Sequence, residues 1–199
     1  MTLSILIALM TGIGVGFFVL PPELAVHMGS FTEYALYLLL FFVGIDIGHN
    51  KHIFKDLKKH GYFLLIVPFS IIAGSLLGGY ITGYIIHMPS NLSLSISAGF
   101  GWYSLSGIML TQLHSAEIGT IAFLTNVMRE LLAIVSIPLL AKYLNHYTAI
   151  APAGATSMDT TLPIISRATA PEIVVIAFVN GALLSTLVPV LVPFLYGLF

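Results

Sequence analysis

The chain of 199 residues carries 7 Lys+Arg and 8 Asp+Glu, so 8% is charged against 58% hydrophobic, with a mean hydropathy of +1.02. Soluble domains hold about 25% charged residues; a chain with so few is neither a cytosolic enzyme nor a disordered segment. A net charge of −1 gives no basic field for nucleic acid, and zero Cys excludes disulfides and thiolate chemistry. The composition is that of an integral membrane protein.

The apolar stretches have helix lengths rather than the alternating pattern of strands. With about 20 apolar residues per span, an all-α chain of about six spans is expected, near 2–20, 31–48, 61–87, 94–113, 117–144 and 171–198. The whole reads as one transport domain, 1–199, with three spans in 1–88 and a broken-helix core in 89–199. Nothing basic precedes the first apolar run, so a cleavable signal peptide is not expected. The loop 49–61, HNKHIFKDLKKHG, holds Lys51, Lys55, Lys58 and Lys59, and the positive-inside rule places it and the N-terminus in the cytoplasm. Asp46 ends the second apolar run, and its role stays open.

The next segment, GFGWYSLSG at 99–107, has three glycines and two serines in nine positions. Each Gly weakens a helix by roughly 1 kcal/mol relative to Ala, so a discontinuous helix is expected. Such a break exposes a half-helix N-terminus, whose free N–H groups favour an anion, and broken helices near the midplane build substrate sites in many secondary transporters. The alternative is small-residue helix packing with Trp102 and Tyr103 as interfacial aromatics. Ser104–Gly107 approaches the G-x-S-G of intramembrane serine proteases. It lacks the first Gly, however, and no His lies deep in a later span as general base.

Further along, Asn126-Val127-Met128-Arg129-Glu130 interrupts the apolar run 117–144. Glu130 lies 13 residues past Glu117, about 20 Å along a helix and inside the hydrocarbon core. A carboxylate there is a functional-site candidate by default. Asn126 shares its face at i,i+4, whereas Arg129 and Glu130 diverge by about 100° and are expected to seek partners on other elements. The alternative is a structural Arg–Glu pair. Pro138 frees the carbonyl of Ile134 and can kink the helix.

The third interruption is GATSMDTTLP at 154–163, within an apolar but Gly-, Pro- and Thr-rich stretch, 148–167, that crosses as a broken helix or dips in and returns. Asp159 with Thr156, Ser157, Thr160 and Thr161 forms a dense set of oxygens. These suit an ammonium group, a small hard cation or the first turn of a helix near 160–167. The alternative is an extramembrane loop with an ordinary N-cap.

GFGWYSLSG, the Arg129-Glu130 pair in LTNVMRELLAI and GATSMDTTLPII together resemble the signature stretches of the prokaryotic lysine exporter family. The resemblance covers essentially the whole chain. It implies export of L-lysine from the cytoplasm across the plasma membrane, driven by the proton-motive force, and an architecture related to cation/proton antiporters and bile-acid transporters. It matches Glu130 to the buried acidic position of the family and Asp159 to the Asp of its G-A-T-S-M-D stretch. Members of full length run to about 300 residues, room for roughly three more spans. A small three-span membrane subunit or a homodimer is therefore the expected partner, besides lysine, protons and the bilayer. The substrate and proton set is Glu130, Asp159, Arg129, Asn126, Trp102, Tyr103, Ser104, Ser106, Thr156, Ser157 and Thr160; no cofactor or metal is called for. Two other readings stand beside it: a cation/proton antiporter that uses the same acids without an organic substrate, and a non-catalytic half of a split transporter that is silent alone.

Overall fold

The computed structural model describes residues 63–198 and isolated positions between 7 and 38. The expectations for spans 2–20 and 31–48, apart from those positions, and for the loop 49–61 and Asp46 fall outside the described residues. Residues 1–49 and 50–199 are two compact units, and the continuous helices among the described residues lie in the second.

Every regular element among the described residues is helical: α1 (Phe63–Ile85), α2 (Ser90–Ser97), α3 (Tyr103–Leu113), α4 (Ala116–Tyr143), 3-10 turns at Thr148–Ile150 and Gly154–Met158, α5 (Leu162–Ala168) and α6 (Pro171–Tyr196). Among the described residues, three helices are long and apolar enough to cross a membrane, Leu64–Ile85, Ala116–Tyr143 and Pro171–Tyr196. They match the spans expected near 61–87, 117–144 and 171–198 to within a few residues. The stretch 94–113 is not one helix. It divides into α2 and α3 around an unwound stretch, 98–102, as the glycine content implies.

Small residues set the packing. Gly79 and Gly83 lie one turn apart on α1 and face Ser93 and Ser97, one turn apart on α2; a Cβ on either glycine would collide with those serines. Two stripes of small residues thus let the backbones close in where lipid supplies no hydrophobic drive between helices. Gly107 and Gly119 do the same for α3 and α4, where a Cβ on Gly107 would stand 3.2 Å from the Gly119 carbonyl. The turn between these helices ends in Ser115, whose hydroxyl accepts from the Ile118 N–H at 3.3 Å, an N-cap that starts α4 with Glu117 in its first turn.

The segment 154–158 lies against α6. The Ser157 hydroxyl donates to the Ala177 carbonyl at 2.7 Å, and Asn180 Nδ2 donates to the Gly154 carbonyl and to Ser157 Oγ, both at 3.0 Å. Gly181 leaves room for Met158 and Ala155 on the same face. The stretch 148–167 therefore folds as two 3-10 turns and a short helix rather than as a continuous helix. The helix expected near 160–167 forms at Leu162–Ala168, with Pro163 in its first turn where its missing N–H does no harm.

Candidate functional site at the crossing of two unwound stretches

The two unwound stretches meet. The Ala155 N–H donates to the Phe100 carbonyl at 2.8 Å, and a Cβ on Gly101 would stand 3.3 Å from the Ala153 carbonyl. Both strands of the crossing depend on left-handed backbone: φ is +46° at Phe100, +98° at Gly101 and +60° at Gly154. A Cβ on Gly154 would run into the Phe100 carbonyl, so glycine serves there both for conformation and for close approach.

One face of α4 supports this crossing. Asn126, 2% exposed, accepts from the Gly101 N–H at 2.7 Å through Oδ1 and donates from Nδ2 to the carbonyls of Ile96 and Ala122 and to Ser106 Oγ. The side chain thereby satisfies both sides of the first break, the end of α2 and the N–H that the unwound turn leaves over. Ser106 completes the tie by donating to the Trp102 carbonyl at 2.8 Å. Asn126 and Ser106 are thus pins of the break, and their polar atoms are engaged.

Glu130, one turn beyond Asn126, is also 2% exposed, and its Oε1 is buried with no hydrogen-bond partner. Among the described residues, its polar neighbours are the Thr160 side chain and the Asp159 carboxylate, and Tyr103 lies within electrostatic reach of both acids. Asp159 is exposed, and its Oδ1 accepts from the Thr160 N–H and, at 3.0 Å, from the Thr160 hydroxyl. The site thus sets one closed carboxyl near an open one, with Thr160 adjacent to both. An unpartnered buried oxygen is costly, and a proton or an ammonium group would satisfy it.

The other candidates divide. Thr156 is buried, donates to the Ala153 carbonyl at 2.9 Å and pairs with the Thr161 hydroxyl; Ser157 is held against α6. Both hold the second break in shape in this conformation. Trp102 precedes α3, and Tyr103 packs edge-on against Phe123 at 5.4 Å. Ser104 stands partly exposed in the first turn of α3, where its N–H and that of Leu105 have no intrahelical acceptor.

Arg129 does not pair with Glu130. Its Nε donates to the Pro152 carbonyl at 3.1 Å, Nη1 to Ser75 Oγ at 2.9 Å and Nη2 to the Ala151 carbonyl at 3.2 Å. The divergence of adjacent helical positions sends the two charges to different neighbours. Ser75 and Asn180 were not among the sequence candidates. Asn180 had a readable signal, a lone amide in an apolar helix; Ser75 had none, because a serine in such a helix usually bonds its own backbone. Among the described residues, no group of three or more His, Cys, Asp and Glu is placed to hold a metal ion.

Over residues 6–196 the chain matches the family described as Lysine exporter LysO. It belongs to that family. The lysine exporter LysO of Escherichia coli (strain K12) is 42% identical over 170 residues, which make up 84% of this chain and 56% of that protein. A putative lysine exporter of Haemophilus influenzae (strain ATCC 51907 / DSM 11121 / KW20 / Rd) is 39% identical over 165 residues, 81% of this chain and 82% of the relative. This LysO-family chain therefore spans just over half the length of the Escherichia coli relative. No solved structure matches it. The relatives are named as exporters rather than enzymes, and the long apolar helices are those of a membrane protein.

Proposed function

We propose that this chain exports L-lysine across the plasma membrane in exchange for protons, with Glu130 as the group that holds proton and substrate in turn. The observation that carries the reading is the buried Glu130 carboxyl, unpartnered at Oε1 and set beside Thr160 and the open Asp159, which follow the second unwound stretch in the chain. Lysine at neutral pH carries two ammonium groups and one carboxylate. The two acids suit the cations, and a carboxyl that binds either a proton or an ammonium makes the two fluxes mutually exclusive at one atom. Tyr103 lies within electrostatic reach of both acids, and an aromatic ring at the site would suit an ammonium better than a bare metal ion. The crossing of unwound stretches supports an architecture like that of cation/proton antiporters, in which the site lies between parts that rock against each other. The counterpart in that motion is a small membrane subunit or a second copy of the chain, and the N-terminus lies in the cytoplasm.

The test is lysine efflux from proteoliposomes under an imposed pH gradient, with sodium efflux measured in parallel. Wild-type protein is expected to move lysine and not sodium. Glu130→Gln keeps the shape but neither binds nor releases a proton, and is expected to stay folded and lose pH-driven efflux. Normal efflux from the variant removes Glu130 from the mechanism.

A further inference from the structure

Arg129 is a cation inside an apolar helix, and among the described residues every group it hydrogen-bonds is neutral: two carbonyls and one hydroxyl. A guanidinium has five N–H donors, so these three bonds leave two unused. No acid among the described residues pairs with it. An arginine at membrane depth is costly without a counter-charge, and carbonyl dipoles compensate it only in part. Its neighbours Ala151 and Pro152 lead into the second break, and a Cβ on Gly101 would stand 3.8 Å from its Cδ, so the side chain runs alongside both unwound stretches.

Beside the guanidinium lies a cavity of about 250 Å³, lined by Ser70, Ile71, Gly74, Ser75, Arg129 and Ala151. The Ser75 oxygen accepts from Arg129, which leaves its own O–H proton free to donate. The Ser70 hydroxyl donates to the Val67 carbonyl at 2.8 Å. Among the described residues, the lining thus holds a cation with no paired acid, a free hydroxyl proton and no carboxylate. Gly74 adds no side chain to the space, one turn from Ser70 and next to Ser75. This is the wall an anion needs: charge-assisted donors on one side, and volume on the other for a small planar group.

We propose that this cavity seats the carboxylate of the transported amino acid, as the counter-charge of Arg129. The proposal rests on the lysine-export reading and adds the opposite pole of the substrate to it. Glu130, next in the chain, leaves α4 about 100° round from Arg129 and serves the ammonium pole with Asp159 and Thr160. Arg129 runs along the crossing and Glu130 lies beside Asp159 and Thr160, so a zwitterion with a cationic tail has a partner for each pole, whereas a diamine has partners only in the acids.

The discriminating ligand is pentane-1,5-diamine, which is lysine without its carboxylate. Binding of lysine and of the diamine to the purified full chain in lipid nanodiscs is measured by calorimetry, beside lysine efflux by wild-type protein. Hydrogen bonds to a charged group are worth about 1.5–3 kcal/mol, so Arg129→Gln is expected to weaken lysine roughly 10- to 100-fold and to change the diamine by less than about twofold. Ser75→Ala keeps the arginine and the fold, and is expected to weaken lysine alone, by several-fold. It carries the test if Arg129→Gln does not fold. Equal losses for both ligands, or lysine binding unaffected by either substitution, overturn the proposal and leave lysine export standing. Failure of the wild-type chain to export lysine, both alone and together with its small membrane subunit, defeats the functional reading, and this proposal with it.

Discussion

Replacing Asn126 by alanine removes one side chain that holds four polar groups, and the consequences differ group by group. The Ile96 carbonyl keeps the Gly99 N–H at 3.2 Å, Ser106 keeps the Trp102 carbonyl at 2.8 Å, and the Ala122 carbonyl has its helical partner. Only the Gly101 N–H, bonded to Asn126 Oδ1 at 2.7 Å, is left without its acceptor in a buried place. An orphaned buried donor costs about 1–3 kcal/mol. The three other contacts, worth about 0.6 kcal/mol each in a membrane bundle, lose part of their value. The expected total is about 3 kcal/mol, or roughly 6–12 °C at ~2–4 °C per kcal/mol for a protein of this size. Thermal unfolding of the purified protein in detergent reads it, with Thr125→Ala as a control: Thr125 is exposed one position away, and its substitution should stay within about 0.5 kcal/mol. Hydrogen exchange locates the effect, with faster exchange at Gly101 than across α6. Equal unfolding temperatures for Asn126→Ala and wild type would refute the view that this amide holds the first break in shape.

Gly154→Ala combines a left-handed φ of +60° with a Cβ directed at the Phe100 carbonyl, and should destabilise by at least about 3 kcal/mol; a melting curve like that of the parent would mean that the crossing can open without cost. Asn180→Ala loses donations to Gly154 and Ser157 but also removes a buried Oδ1 that has no partner. Its net cost in the same melting assay should therefore be only about 1 kcal/mol, and a loss above about 3 kcal/mol would mean that Oδ1 is engaged after all. Asp159→Asn should raise the lysine concentration needed for half-maximal efflux more than it lowers the maximal rate; unaltered lysine binding would reduce Asp159 to a partner of Thr160.

Composition and apolar run lengths were enough to identify a helical membrane protein and to place α1, α4 and α6, because lipid forces each spanning segment to satisfy its own backbone and so leaves a local signature of about 20 residues. The breaks were also legible, since glycine and hydroxyl content weakens a helix wherever it occurs. Glu130 stood out as a candidate for a related reason: a carboxyl in an apolar run is costly, and the structure buries it with Oε1 unpartnered. The division of labour among the polar residues was not local. Asn126 and Glu130 share one helical face, yet the first is consumed by the Gly101 N–H and the second is left open at Oε1, because α2 and α3 supply partners to one and not to the other. Thr156 and Thr160 sit four positions apart in one hydroxyl-rich motif. The 3-10 turn faces the first into its own segment and the second toward Glu130. Arg129 depends on Ser75, 54 positions away, and on two carbonyls that are free only because the second stretch does not form a helix. Spacing along the chain decides which residues can share a helix face. Which of them keeps an unspent donor or acceptor is decided by what packs across from it, and that is set only when the two unwound stretches cross.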